Sequence, residues 1–124
     1  MLKDLPLFPV LAASDIGRAR RWYEEKLGLI PEIEEMGSAW YRTGDSWFLL
    51  YPTQAAGTAM NTVAHWTVPD LRGLMAELRG RGVVFEDYDL GEGMVTVDGV
   101  LEIGGRMAAW FKDSEGNTFE LTQT

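Results

Sequence analysis

The chain has no cysteine and a single histidine, His65. Without thiols it can form no disulfide, no thiolate nucleophile and no cysteine-ligated zinc site. The absence is compatible with the cytoplasm, which is the expected location. Positive charge is also scarce, with 11 Lys and Arg against 19 Asp and Glu and a net charge of −8. Nucleic-acid binding draws on clustered Lys and Arg through counterion release, so nucleic acid is excluded as a partner. The negative balance serves solubility first and would also favour a cationic ligand. No apolar run approaches the roughly 20 residues of a membrane span, so no membrane partner is expected. The opening "MLKDLPLFPVLAAS" has the outline of a secretory signal, but Pro6 and Pro9 interrupt it. Gly-x-Ser-x-Gly, P-loop and dinucleotide-binding patterns are all missing. The acidic stretch "FEDYDLGEGM" (85–94) fails the calcium-loop pattern, because counting from Asp87 puts Gly91 fifth and Asp98 twelfth. It reads as a solvated strand end and loop, with "TVDGV" (96–100) as a turn or hairpin.

What is present is a pattern written twice. At 124 residues and 46% hydrophobic, the chain is one domain able to bury a core. "SDIGRARRWYEEKLGL" and "PDLRGLMAELRGRGV" each begin with a helix-capping Asp (Asp15, Asp70) and end at a Gly (Gly28, Gly82). Ile16, Ala19, Trp22, Tyr23 and Leu27 make one apolar helix face, and Leu71, Leu74, Met75 and Leu78 make the other. Strand-like runs "LPLFPVLAA" and "NTVAHWTV" precede the helices. "AWYRTGDSWFLLY" (39–51) and "AWFKDSEGNTFELT" (109–122) follow them as hairpins, with "IPEIEEM" and "VVFEDYD" as the intervening strands. The period is about 55 residues, from Asp15 to Asp70. The expected fold class is α+β: two βαβββ modules with pseudo-twofold symmetry that together form a cup-shaped sheet. Module one covers residues 1–52, a linker 53–61, and module two 62–124.

This duplicated pattern resembles the vicinal oxygen chelate superfamily, the glyoxalase, bleomycin-resistance and extradiol-dioxygenase group. "SDIGRARRWYEEKLGL" is similar to its first-module signature and "AWFKDSEGNTFEL" to its closing hairpin, and "YDLGEGMVTVDGV" looks like a bacterial subgroup. The resemblance covers nearly the whole chain and is far more specific for fold than for function. It implies a metal site drawn from four strands, one pair of ligands per module. Carried onto this sequence, those positions hold Phe8, Leu49, Val63 and Glu120. Only Glu120 can bind a cation, and His65 adds at most one ligand more, short of what zinc or iron requires. No metal and no cofactor are therefore expected.

Strand parity puts His65 on the same side as Val63, and Trp47 and Tyr51 on the same side as Leu49. Trp66 should point to the helix side, and the facing of Trp40 and Trp110 stays open. The expected ligand-binding set is Phe8, Trp47, Leu49, Tyr51, Val63, His65 and Glu120. His65, Arg42 or Lys112 are the candidate partners for the Glu120 carboxylate. Three functions fit. The first is a metal-free binder of a hydrophobic or aromatic, potentially cationic small molecule, of the drug-sequestering, antibiotic-resistance kind. The second is a metal-independent isomerase or lyase in which His65 and Glu120 transfer protons. The third is a non-catalytic assembly or regulatory domain. The family's habits and the open edges of such sheets point to a homodimer.

Overall fold

The computed structural model describes residues 1–124. Both repeat units form the first strand, helix and closing hairpin that the pattern requires. Module one contains β1 (Val10–Ala13), α1 (Ile16–Trp22), β2 (Ile33–Glu35), β3 (Ser38–Thr43) and β4 (Ser46–Pro52). Module two contains β5 (Thr62–Thr67), α2 (Leu71–Gly80), β6 (Leu101–Ile103), β7 (Arg106–Lys112) and β8 (Thr118–Gln123). Each makes a four-stranded sheet, ordered β1-β4-β3-β2 and β5-β8-β7-β6, with one parallel pair and two antiparallel pairs. The result is the paired-module, cupped architecture anticipated from the repeat.

The two helices start alike because both capping carboxylates do the same work. Asp15 accepts from the Arg18 N–H and Asp70 from the Gly73 N–H, both at 3.0 Å, which satisfies an amide that has no partner inside the helix. The ends differ. After Trp22, α1 widens into a π-helical turn over Tyr23–Leu27 and closes on Gly28, whose φ of 69° suits glycine. No helix is long and apolar enough to cross a membrane.

One expected strand is absent. "VVFEDYD" contributes only two isolated bridges, Phe85 to Phe111 and Asp89 to Val95, and the edge strand paired with β7 is Leu101–Ile103. The intervening loop has its own anchor. Asp87 accepts from the Thr96 hydroxyl at 2.7 Å and the Gly99 N–H at 2.8 Å, which holds its carboxyl below the usual range. "TVDGV" forms the expected turn: Val97 pairs with Val100, and Asp98 and Gly99 take positive φ.

The sheets share one core on their helix-covered sides. Tyr23 is fully buried and packs on Tyr41 and Phe48 of module one and on Phe119 of module two. Trp22 stacks on Phe111. The hairpin "DSEGN" (113–117) ties the modules together with polar contacts. Asp113 accepts from the Tyr23 hydroxyl and from the side chain and backbone N–H of Asn117. Asn117 in turn donates to the Ala12 carbonyl at 2.9 Å. Glu115, whose side chain is fully buried, accepts from Arg18 at 2.9 and 3.0 Å, from the Asp15 N–H at 3.0 Å, and from Ser14 and Ser114.

Two outcomes follow from this packing. Phe119 lies 1% exposed against Trp66, Phe111 and Tyr23, so Phe119→Ala should cost about 3–5 kcal/mol in denaturant unfolding. Burial opposes the ionisation of Glu115, but hydrogen bonds from Arg18, Asp15 and Ser114 outweigh it and hold the carboxyl at about 2. A carboxyl depressed in the folded state stabilises fully above its unfolded value near 4.5 and loses that contribution as pH falls toward 2. The span corresponds to about 3 kcal/mol, and Glu115→Gln should flatten acid unfolding across that window.

Candidate functional site

Strand alternation divides each sheet into a buried helix side and an outer face. In β3 and β4 the buried set is Ala39, Tyr41, Phe48 and Leu50, and in β7 and β8 it is Ala109, Phe111, Phe119 and Leu121. The outer face of module one carries a row of register partners, Val10, Leu49, Trp40 and Ile33, one from each strand. Phe8 extends it by packing edge-on against Trp40 at 5.7 Å. The matching row in module two is His65, Glu120 and Trp110, and Tyr88 meets Trp110 edge-on at 5.6 Å.

Glu120 therefore stands between an imidazole on one neighbouring strand and an indole on the other, strands about 4.8 Å apart. It is half-buried and makes no ion pair or hydrogen bond. Of its candidate partners, Arg42 pairs with Glu32 at 3.2 Å and Lys112 with Glu86 at 3.7 Å. Arg42 also lies over the Trp47 ring at 5.5 Å, a cation–π contact. His65 is exposed beside Glu120, with no hydrogen bond between them.

The expected residues do not all converge. Trp47, Val63 and His65 line one cleft of about 660 Å³ where the start of β4 meets β5. Phe8, Leu49, Tyr51 and Glu120 lie outside it, and no larger cavity holds Leu49 and Glu120 together. Val63 sits at a bulge: Thr62 pairs with Thr118 and Ala64 already with Phe119. The bulge interrupts the simple alternation between Val63 and His65, although both line the same cleft, and Val63 also packs against the core. Trp66 does face the helix side, stacked on Phe119 at 5.2 Å. Trp40 and Trp110, whose facing the sequence left open, both belong to the outer rows. Their signal was the alternation with small or buried neighbours, Ala39 and Tyr41 in one case and Ala109 and Phe111 in the other. Tyr88 gave none, because its position depends on the irregular loop before β6.

A sequence profile described as the glyoxalase/bleomycin resistance protein/dioxygenase superfamily matches residues 7–121. The chain belongs to that superfamily. No curated protein matches it. Among solved structures it is similar to a glyoxalase family protein from Enterococcus faecalis (TM-score 0.72, 16% identity, 98% of this chain and 99% of that one). It is likewise similar to a glyoxalase/bleomycin resistance protein from Catenulispora acidiphila DSM 44928 (0.71, 19% identity, 97% and 98%). A third is a bleomycin resistance determinant encoded on the transposon Tn5 (0.70, 17% identity, 96% and 97%). At these identities the likeness speaks for the fold alone.

Superfamily membership sharpens the question of a metal. Phe8, Leu49 and Val63 carry no donor atom, and nowhere does the chain gather three or more His, Cys, Asp or Glu side chains able to hold an ion. Glu120 and His65 give two donors, fewer than a stable transition-metal site uses. The donor set does not fit a metal. Elemental analysis of protein purified without chelators should find transition metal far below one equivalent. Stoichiometric metal that disappears in Glu120→Gln would contradict this.

Proposed function

We propose that the chain is a metal-free small-molecule-binding protein of the bleomycin-resistance type, sequestering a hydrophobic or aromatic ligand. The observation that carries this reading is the outer row of module two, a half-buried carboxylate set between His65 and Trp110, with Tyr88 packed edge-on against the Trp110 ring. Indole and tyrosine rings offer broad faces to a flat ligand, and Glu120 is the unengaged charge beside them. A cationic group on the ligand would find both a carboxylate and a ring face.

The apolar outer face of module one is the natural second wall. Val10 and Ile33 are 56% and 46% exposed on it, beside Leu49 and Trp40. A homodimer that set this face of one copy over the Glu120 row of its partner would enclose the ligand and cover both surfaces. Phe8, Trp47, Leu49 and Tyr51 then become ligand contacts contributed from across the interface.

A second reading rests on the pairing of His65 with Glu120. Two titratable groups on adjacent strands are a workable proton-transfer pair for an isomerase or lyase acting without a metal. Stoichiometric capture of a ligand without turnover separates the first reading from the second.

Native mass spectrometry of freshly purified protein should show a dimer carrying ligand. Glu120→Gln should keep the fold and weaken retention of that ligand by about 1–3 kcal/mol, the worth of a charged hydrogen bond. A variant that retains the ligand as tightly as the parent would reduce Glu120 to a structural carboxylate.

A further inference from the structure

The internal repeat also permits a comparison on the helix side, away from the outer rows. Aligning Asp15 with Asp70 superimposes Tyr23 on Leu78, and aligning Ala39–Thr43 with Ala109–Asp113 superimposes Thr43 on Asp113. In module one, the Tyr23 ring fills the space between helix and sheet, and its hydroxyl reaches across to Asp113. The symmetric path runs from position 78 on α2 to Thr43 at the turn of the opposite hairpin. Leucine stands at its start, so no ring occupies it.

The packing registers that difference. Leu11, Ala13, Ala19, Tyr23, Tyr41 and Leu50 are none of them more than 1% exposed. Of their module-two counterparts, Phe111, Leu121 and Leu78 are buried, but Trp66, Val68 and Leu74 remain half-buried. All six border a cleft of about 400 Å³, within the range of small-molecule sites, and Thr43 stands at its rim. Trp66 lines the cleft and is backed by Phe111, the two rings stacked with their planes 8° apart. The wall contributed by α1 is Leu27, the last residue of the π-helical turn.

We infer that this cleft is a second ligand site, taking a neutral aromatic molecule with one hydrogen-bonding substituent, a phenol or aryl alcohol in shape. The missing tyrosine ring defines the aromatic body, and the Thr43 hydroxyl stands where Asp113 receives the tyrosine in module one. The only ionisable side chain among the lining residues is Arg42, which is half-exposed and paired with Glu32. An ionised ligand would therefore lose its hydration without gaining a partner. The site is independent of the Glu120 row and does not need a second copy.

The test is calorimetric titration of 2-naphthol into the full chain. Saturable binding of one equivalent per chain is expected. Leu78→Tyr restores the ring and should weaken binding at least about tenfold without lowering the unfolding midpoint. Should that variant fail to fold, Leu74→Trp blocks the same cleft from the helix and should give the same loss. Thr43→Val should weaken binding about threefold to tenfold, the size of one neutral hydrogen bond. Glu120→Gln and Trp47→Ala should bind 2-naphthol like the parent, whatever they do to a ligand on the outer face. The proposal is overturned by absence of saturable binding in the parent, by unchanged affinity in a folded blocking variant, or by loss of binding in Glu120→Gln.

Discussion

The contact on which this structure most depends is the embrace of α1 by the closing hairpin of module two. Asp113 and Glu115 are carboxylates placed in a protein interior, where an unpaired charge is strongly unfavourable. Each is saturated, Asp113 by Tyr23, Asn117 and two backbone amides, and Glu115 by Arg18, Asp15, Ser14 and Ser114. Half of these partners come from residues 14–23, about a hundred positions earlier in the chain. The two modules have little strand pairing between them, because each sheet is built from its own module. Docking therefore rests on this polar hairpin and on the shared aromatic core around Tyr23.

That mode of docking has a consequence for function. Because the modules join through their helix-covered sides, the outer faces stay uncovered. The aromatic row with Leu49 and the row with Glu120 are complete on their own sheets, yet neither Leu49 nor Glu120 lines any of the main cavities of the single chain. In the proposed dimer, binding chemistry and assembly would be coupled: a partner that covers one row would also build the pocket for the other. The imperfect symmetry of the core acts on the opposite side. There, one tyrosine seals module one, and a leucine leaves the same place in module two open.

Duplication explains why so much was readable in advance. Asp15 and Asp70, Gly28 and Gly82, and the tokens Ala-Trp-Tyr-Arg and Ala-Trp-Phe-Lys mark elements whose causes are local: a cap, a left-handed turn, a two-residue alternation. These depend on near neighbours, so they survive reading one residue at a time. The strand expected at "VVFEDYD" failed because its alternation competed with a nonlocal anchor, Asp87 reaching Thr96 and Gly99. The bulge at Val63, invisible in composition, shifts the register of β5 against β8.

The sequence by itself determined the two modules, their helices and their closing hairpins, since each follows from residue type and short-range periodicity. Tertiary structure alone decided that Glu120 lies between His65 and Trp110 in the strand register and pairs with none of His65, Arg42 and Lys112. It also decided that the outer rows remain apart within one chain, and that Leu78 leaves a cleft where Tyr23 leaves none. Those outcomes depend on register between distant strands and on how two sheets meet. Both are set by the packing of residues a hundred positions apart, which no local pattern encodes.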